Sequence, residues 1–222
     1  MDAGGTLTGG TGNGAVEDEL LVRAMTAMRY DAFNAGQGEL RAGPLALRQL
    51  AQSAAPPLIS STSKAPAGQP GGAAQPTPKP YVIREVSGVR VGLVGVTSPD
   101  PAGSAGDASP AEALRSLLPE VRRQADIVVA LADLEPDEVK ALAAAGLDLD
   151  AILGARSVSI REATREGRAI VASAGPDGQY VGRLTLTVDD KGRIASYQGE
   201  AVPLDDRVSS DPDISRLRAQ YQ

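Results

Sequence analysis

The sequence predicts an α/β fold with a mixed sheet or two packed sheets, on three observations. Residues 89–96, 126–131 and 149–153 are nearly all apolar, which is typical of strands buried on both faces of a sheet. Amphipathic helix patterns separate these runs, at 109–124 and 136–145. From residue 168 onward the pattern changes to alternating strands and turns. Strand–helix alternation followed by antiparallel strands indicates the α/β class.

The segments around these runs predict the remaining elements. A helix with Glu17, Asp18 and Glu19 near its positive N-terminal end is predicted to bury an apolar stripe. The stripe consists of Val16, Leu20, Leu21, Ala24, Met25 and Met28. Further strands are predicted at 30–34, 57–60, 82–86, 168–172, 180–188 and 193–202, with a hairpin turn at 189–192, and further helices at 44–54 and from residue 211.

The 222 residues suit one large domain, which we expect to span 2–205, followed by a helical tail at 206–222. Residues 62–80 are rich in Pro, Gly, Ala, Ser and Thr, and a segment of this composition cannot bury a core. We therefore expect a flexible surface loop there, mobile or ordered only by a partner. No apolar run approaches the ~20 residues that span a membrane, and the first residues lack the pattern of a signal peptide.

Composition excludes several kinds of chemistry. The chain contains no cysteine and no histidine, so it has no disulfides, no thiolate or imidazole ligands for haem or iron–sulfur groups, and no Ser–His–Asp or Cys–His catalytic arrangement. Its formal charge of −6 argues against nucleic acid as a partner, because nucleic acids require a concentrated basic face. We expect no cofactor, and another protein as the partner.

Five segments carry short glycine-containing or polar motifs beside strands. In order they are Asp2-Ala3-Gly4-Gly5, 30–39 (YDAFNAGQGE), 89–97 (VRVGLVGVT), 128–135 (VVALADLE) and 150–158 (DAILGARSV). With the closing strands at 170–194, they resemble the catalytic domain of calcineurin-like metallophosphoesterases of the 5′-nucleotidase and UDP-sugar hydrolase type. The resemblance covers roughly residues 2–205. It implies a four-layer α/β/β/α sandwich with mixed sheets.

The resemblance also implies where a site would lie. The family's two metal ions clamp phosphate and deliver hydroxide, and their ligands come from the tips of separate strands. The family's opening Asp-x-His motif would precede Met1. Within this chain, the implied metal-site positions hold residues that depart from the family pattern. They are Gly5, Gln37, Gly38, Asp133, Arg156 and Val158. We therefore expect a lost metal site, with no bound metal and no catalytic residues.

Three functions remain open from the sequence. The first is a catalytically inactive domain that serves as a structural or protein-binding subunit of a larger assembly. The second is a binder of a small anionic ligand, received by Arg156 in the former pocket. The third is a residual one-metal phosphoesterase that uses oxygens of Asp133, Gln37 and Asp2.

These side chains also have plainer interpretations. Asp133 and Gln37 are expected to be solvated polar residues at strand ends, and Arg156 to form a surface salt bridge. The family resemblance further implies a periplasmic or extracellular location.

Overall fold

A six-stranded mixed sheet organises the fold. The computed structural model describes residues 1–7, 13–43, 49, 56–62, 78–99, 108–156, 161–175 and 178–221. Within them the helices are α1 (Asn13–Ala27), α2 (Gln37–Arg41), α3 (Pro110–Arg122), α4 (Pro136–Ala144) and α5 (Pro212–Ala219). The strands are β1 (Phe33–Asn34), β2 (Leu58–Ile59), β3 (Tyr81–Val86), β4 (Val89–Thr97), β5 (Ile127–Asp133), β6 (Ala151–Gly154), β7 (Arg161–Glu166), β8 (Ala169–Ser173), β9 (Tyr180–Val188) and β10 (Ile194–Pro203).

The sheet has the strand order β3-β4-β5-β6-β8-β7. Its four inner strands are parallel to their inner neighbours, while β3 and β7 run antiparallel at the two edges. The three continuous apolar runs of the sequence form β4, β5 and β6, which are adjacent in the sheet. Every residue of β5 is buried, as expected for a central strand covered on both faces. The predicted placement of these runs is confirmed.

Helices α3 and α4 cover one face of this sheet. Ser109 caps α3 by accepting a hydrogen bond from the Glu112 amide, and proline occupies the first turn of both helices. Their buried leucines and valines pack against the alternate residues of β4 and β5 that point to this side. The side chains of this layer include Leu114, Leu118, Val139, Leu142, Val94, Val96, Val128 and Ala130.

A second layer of strands covers the opposite face. The antiparallel pair β9–β10 and the short parallel pair β1–β2 lie there. The residues in this inter-sheet core include Leu93, Val129, Leu131, Ile59, Leu184, Leu186 and Tyr197. Helix α1 packs Val22 and Met25 on the far side of β1–β2, against Phe33 and Leu58. The order is therefore helix, sheet, sheet, helix, and the predicted α/β class with mixed sheets is confirmed.

Two local expectations differ from the structure. The sequence pattern does not predict strand β7, because its sequence REATRE has four charged residues and no apolar alternation. It forms nevertheless at the edge of the sheet, where it pairs only with β8. In α1 the buried side chains are Val22, Ala24 and Met25, whereas Leu21 and Met28 of the predicted stripe are exposed.

Some expectations lie outside the described residues. The helix predicted at 44–54 falls there except for residue 49, and so does most of the loop predicted at 62–80. The predicted final helix is α5, which Asp211 caps through the amides of Asp213 and Ile214. None of the helices in the described part of the chain has the length and apolar character that crossing a bilayer requires.

Candidate functional site

The carboxyl ends of the parallel strands meet at one edge of the central sheet. Asp133 is the last residue of β5, and it lies beside Thr97, the last residue of β4. Arg156 follows the end of β6 by two residues, and Gln37 begins α2 three residues after the end of β1. These ends form a common edge because parallel strands point in the same direction, and such edges are where α/β proteins bind ligands.

The Asp133 carboxylate is the centre of this edge. The residue is only 1% exposed, so its charge requires partners. The backbone amide of Gln37 donates a hydrogen bond to Oδ2 of Asp133 at 2.6 Å. Arg156 donates from Nε to Oδ1 at 2.6 Å and from Nη2 to Oδ2 at 3.2 Å. The expectation that Asp133 is solvated is therefore wrong, because both of its oxygens are buried and hydrogen-bonded.

Arg156 joins a buried carboxylate to an exposed one. Its Nη1 donates to Oε1 of Glu135 at 2.9 Å, while its other two bonds go to Asp133. Hydrogen bonding to Asp133, and then to Glu135, raises the pKa of Arg156 although partial burial opposes this. The guanidinium group stays charged at any working pH. The expected salt bridge exists, but its principal partner is a buried residue rather than a surface one.

The loop from Asp2 to Leu7 lies directly against Asp133. A side chain at Gly5 would begin 3.3 Å from Oδ1 of Asp133, and the φ of Gly5 is +76°, which disfavours other residues. The buried Glu39 holds this loop by accepting hydrogen bonds from the amides of Gly5, at 3.0 Å, and Leu7, at 2.7 Å. Burial raises the pKa of Glu39 above its ordinary value.

Gly36 and Gly38 leave no room for side chains. A Cβ at Gly36 would lie 2.2 Å from the Gly5 nitrogen and 2.5 Å from Oδ2 of Asp133. A Cβ at Gly38 would lie 2.1 Å from the carbonyl oxygen of Leu7. The loop that Glu39 holds therefore occupies the space into which a side chain at position 38 would extend.

Asn34 joins the ends of β1 and β4 to the chain segment at Ala3. Its Nδ2 donates to the carbonyl oxygens of Ala3 and Val96, and approaches the Thr97 hydroxyl at 3.3 Å. Sequence reasoning gave no role to Asn34 or Glu39, although both stand in the motif at 30–39. Their burial was the missing signal, because buried amide and carboxylate groups are generally hydrogen-bonded; of the Asn34 amide, Nδ2 has partners, while the buried Oδ1 has none among the described residues.

The sequence-predicted positions are thus brought together in part. Gly5, Gln37, Gly38, Asp133 and Arg156 lie within one cluster through the contacts above. Val158 lies outside the described residues.

Comparison with known proteins bears on the fold of the chain. No family model matches the chain. It is 31% identical over 133 residues to an apyrase of Aedes aegypti, across 46% of this chain and 24% of the apyrase. It is 25% identical over 258 residues to a snake venom 5′-nucleotidase of Naja atra, across 100% of this chain and 48% of that protein. The crystal structure of a 5′-nucleotidase precursor from Thermus thermophilus matches with a TM-score of 0.79 and 23% identity, across 99% of this chain and 48% of that one.

The chain has the fold of the 5′-nucleotidase-type metallophosphoesterases. The resemblance that its motifs indicated is confirmed at the level of the fold. The chain spans about half the length, or less, of the curated relatives it matches. The similarity establishes the fold of this chain, while the activities named for those proteins refer to the whole proteins.

The residues at the metal position of this metallophosphoesterase-type fold do not fit a metal ion. Asp133 directs both oxygens to Arg156 and the Gln37 amide. The Gln37 Oε1 accepts from Arg41 at 3.0 Å, and the Asp2 carboxylate accepts from the Gly4 amide and the Thr6 hydroxyl. No three Asp, Glu, His or Cys side chains are grouped to hold an ion anywhere in the described ranges. Each oxygen of the one-metal alternative therefore already has a partner within the chain.

Proposed function

We propose that this domain is catalytically inactive and that it acts as a structural or protein-binding subunit of a larger assembly, in the periplasm or outside the cell. The observation that carries the proposal is the Arg156–Asp133 ion pair. A two-metal phosphoesterase needs anionic or neutral ligands facing an open position. Here two nitrogens of the Arg156 guanidinium group donate hydrogen bonds to the two oxygens of the Asp133 carboxylate.

Charge supports the same conclusion. A fixed guanidinium group at hydrogen-bond distance from a carboxylate cancels the negative charge that would attract a divalent cation. It also repels that cation directly, and the repulsion is strong where water is excluded. Metal binding would require Asp133 to exchange two charge-assisted hydrogen bonds for the metal, and Arg156 to leave its site.

The surrounding backbone supports inactivity independently of charge. Gly38 occupies the position where the family resemblance implies a histidine, and its surroundings admit no Cβ. Gly5, in the position of a bridging aspartate, has a backbone conformation that L-residues rarely adopt. Restoring those side chains would therefore require the 2–7 loop to move as well.

The two other functions inferred from the sequence become outcomes of the same test. An anion at Arg156 would compete with Asp133 and Glu135, which already use three of the guanidinium N–H groups. A one-metal hydrolase would need the oxygens of Asp133, Gln37 and Asp2, whose partners are described above.

Metal content and hydrolysis measured on one sample test inactivity. The purified protein is stripped with EDTA and dialysed against manganese. Bound metal is then measured, together with hydrolysis of p-nitrophenyl phosphate, bis-p-nitrophenyl phosphate and AMP. We expect bound manganese well below one equivalent and turnover equal to the buffer blank. Turnover above the blank that disappears in Asp133→Asn would show that the domain is a hydrolase.

Binding measurements separate the remaining possibilities. Calorimetry with inorganic phosphate should give no heat beyond dilution in the parent protein. Saturable phosphate binding that is lost in Arg156→Ala would instead support the anion-binding function. Recovery of the native protein from its own cells as a free monomer would contradict the subunit role.

A further inference from the structure

We propose that the Arg156 guanidinium group is the resident cation of this site, and that it holds the strand ends together in the way a bound ion would. The inference deepens the proposed function by naming what occupies the site. It makes the site a binding position for a planar, guanidinium-type cation, which the chain itself supplies.

The ion pair and its neighbours connect three separate segments of the chain. The cluster joins the end of β5 at Asp133, the start of α2 at Gln37 and the segment after β6 at Arg156. Gln37 and Asp133 are 96 residues apart in the chain, and Asp133 and Arg156 are 23 apart. Contacts between such distant segments cannot form by local folding, so the ion pair ties together loops that the sheet alone leaves free at its edge.

The hydrogen-bond donors of Arg156 match the carboxylate acceptors around it. Arg156 directs three nitrogen atoms to three carboxylate oxygens of two residues, Asp133 and Glu135. The two Asp133 oxygens among them also belong to the one-metal alternative, so the guanidinium group occupies acceptors that such a cation would need. The two nearly parallel bonds to Asp133 are the fork geometry that a guanidinium group makes and an ammonium group cannot.

Truncation of Arg156 would leave the Asp133 carboxylate without its charged partner. Asp133 would keep one hydrogen bond, from the Gln37 amide, while staying buried under Gly5 and Gly36. A buried carboxylate that loses its charged partner is costly. The truncated side chain would also leave a space of guanidinium shape between Asp133 and Glu135. That space should accept a free guanidinium ion added to the solution.

The test is chemical rescue of Arg156→Ala by methylguanidinium, with thermal unfolding as the readout. We expect the variant to unfold about 10 °C below the parent, as for a buried charge left without its partner in a chain of this size. Millimolar methylguanidinium should recover a large part of that loss, because a ligand that binds only the folded state stabilises it. Sodium chloride and methylammonium chloride at equal concentration should recover none.

Two variants serve as controls. Arg90→Ala removes an arginine that pairs with Asp126 on the surface, so it should shift the melting temperature little and show no rescue. Asp133→Asn combined with Arg156→Ala keeps the space but removes the buried charge, and methylguanidinium should no longer stabilise it. If Arg156→Ala does not fold, Arg156→Lys is compared with the parent without the rescue step: lysine keeps the charge but lacks the fork, so a lower melting temperature supports the inference and an equal one contradicts it.

Three outcomes would overturn the inference: a melting temperature of Arg156→Ala equal to that of the parent, equal rescue by all three salts, or unchanged rescue in the double variant. None of these requires enzymatic activity. A protein that is inactive but insensitive to Arg156→Ala would contradict this inference and leave the proposed function standing, whereas metal-dependent turnover in the parent would contradict the proposed function and, since metal binding displaces Arg156, this inference with it.

Discussion

The two ends of the central sheet use the same chemistry for different purposes. At each end an aspartate, fully buried in one case and largely buried in the other, accepts hydrogen bonds from a backbone amide and from an arginine. At the amino ends of the strands, Asp150 accepts from the Val128 amide at 2.8 Å and from Arg122. At the carboxyl ends, Asp133 accepts from the Gln37 amide at 2.6 Å and from Arg156.

The difference lies in the other partners of the two arginines. Arg122 also donates to the backbone carbonyl oxygens of Asp126 and Asp148, at 2.9 to 3.2 Å. Its position follows from the main chain of the scaffold. Arg156 makes its remaining bond to the side chain of Glu135. Arg122 also pairs with the Asp148 carboxylate at 3.0 Å, but most of its hydrogen bonds go to the main chain, whereas the hydrogen bonds of Arg156 go to side chains.

Under the proposed function, this contrast explains how a fold of this type can keep its architecture without catalysis. The amino ends and the strands themselves carry the packing, so substitutions there disturb the core. Substitutions at the carboxyl ends change which group sits among the strand tips, while the tips keep their places. Under the inference above, Arg156 takes the position of an ion there and supplies the positive charge that the buried Asp133 carboxylate requires.

The largest expected effect on stability comes from a change in the core strand that connects the two ends of the sheet. Val129 lies in the middle of β5, is 6% exposed, and packs in the core between the two sheets. Val129→Asp should lower the free energy of unfolding by about 3–5 kcal/mol, because it buries an unpaired charge. Chemical denaturation of the parent and the variant measures this difference. An unchanged free energy of unfolding would mean that β5 is not a central strand linking the two ends of the sheet.

A smaller effect should be confined to the carboxyl ends. Gly38→Ala places a Cβ against the Leu7 carbonyl oxygen and should cost about 1–3 kcal/mol through displacement of the 2–7 loop. Gly154→Ala is the matched control, since among the described residues its Cβ would meet only Val139, at 3.7 Å, and it should change stability by less than about 1 kcal/mol.

Hydrogen exchange locates this effect. In Gly38→Ala the Gln37 amide should exchange faster than in the parent, while the Val128 amide at the other end of the sheet keeps its protection. Equal acceleration of both amides would show that the two ends are coupled, and the distinction drawn between them would fail.

The smallest expected effect is a pH dependence that arises at the 2–7 loop. Burial raises the pKa of Glu39 above its ordinary value of 4.5. A carboxyl group with a raised pKa in the folded state binds its proton more tightly there than in the unfolded chain. Its contribution to stability is therefore complete below pH 4.5 and is lost as pH rises through the raised pKa.

Comparison with Glu39→Gln isolates this contribution. The amide cannot titrate, so the stability advantage of the parent over the variant should be greatest below pH 4.5, the ordinary pKa of the group, and should decrease as the pH rises. Thermal unfolding of both proteins across the acidic and neutral range measures it. An advantage that grows with pH would mean that the hydrogen bonds from Gly5 and Leu7 outweigh burial.

Much of the fold could be predicted from local pattern. The apolar runs of β4, β5 and β6 predicted a buried parallel core, and the capping residues Ser109 and Asp211 marked the starts of α3 and α5. Strand β7 could not be predicted, because an edge strand is held by its neighbour's backbone rather than by burial of its own side chains.

The candidate site divides in the same way. The sequence by itself determined which residue types stand at the strand ends, and hence that no histidine or cysteine is present and that an arginine follows β6. Only the tertiary structure decided what those residues do. Whether Asp133 is solvated, whether Arg156 pairs with it, and whether Gly38 has room for a side chain depend on contacts between distant segments. Charge and burial at such contacts are properties of the folded environment, and residue type alone does not contain them.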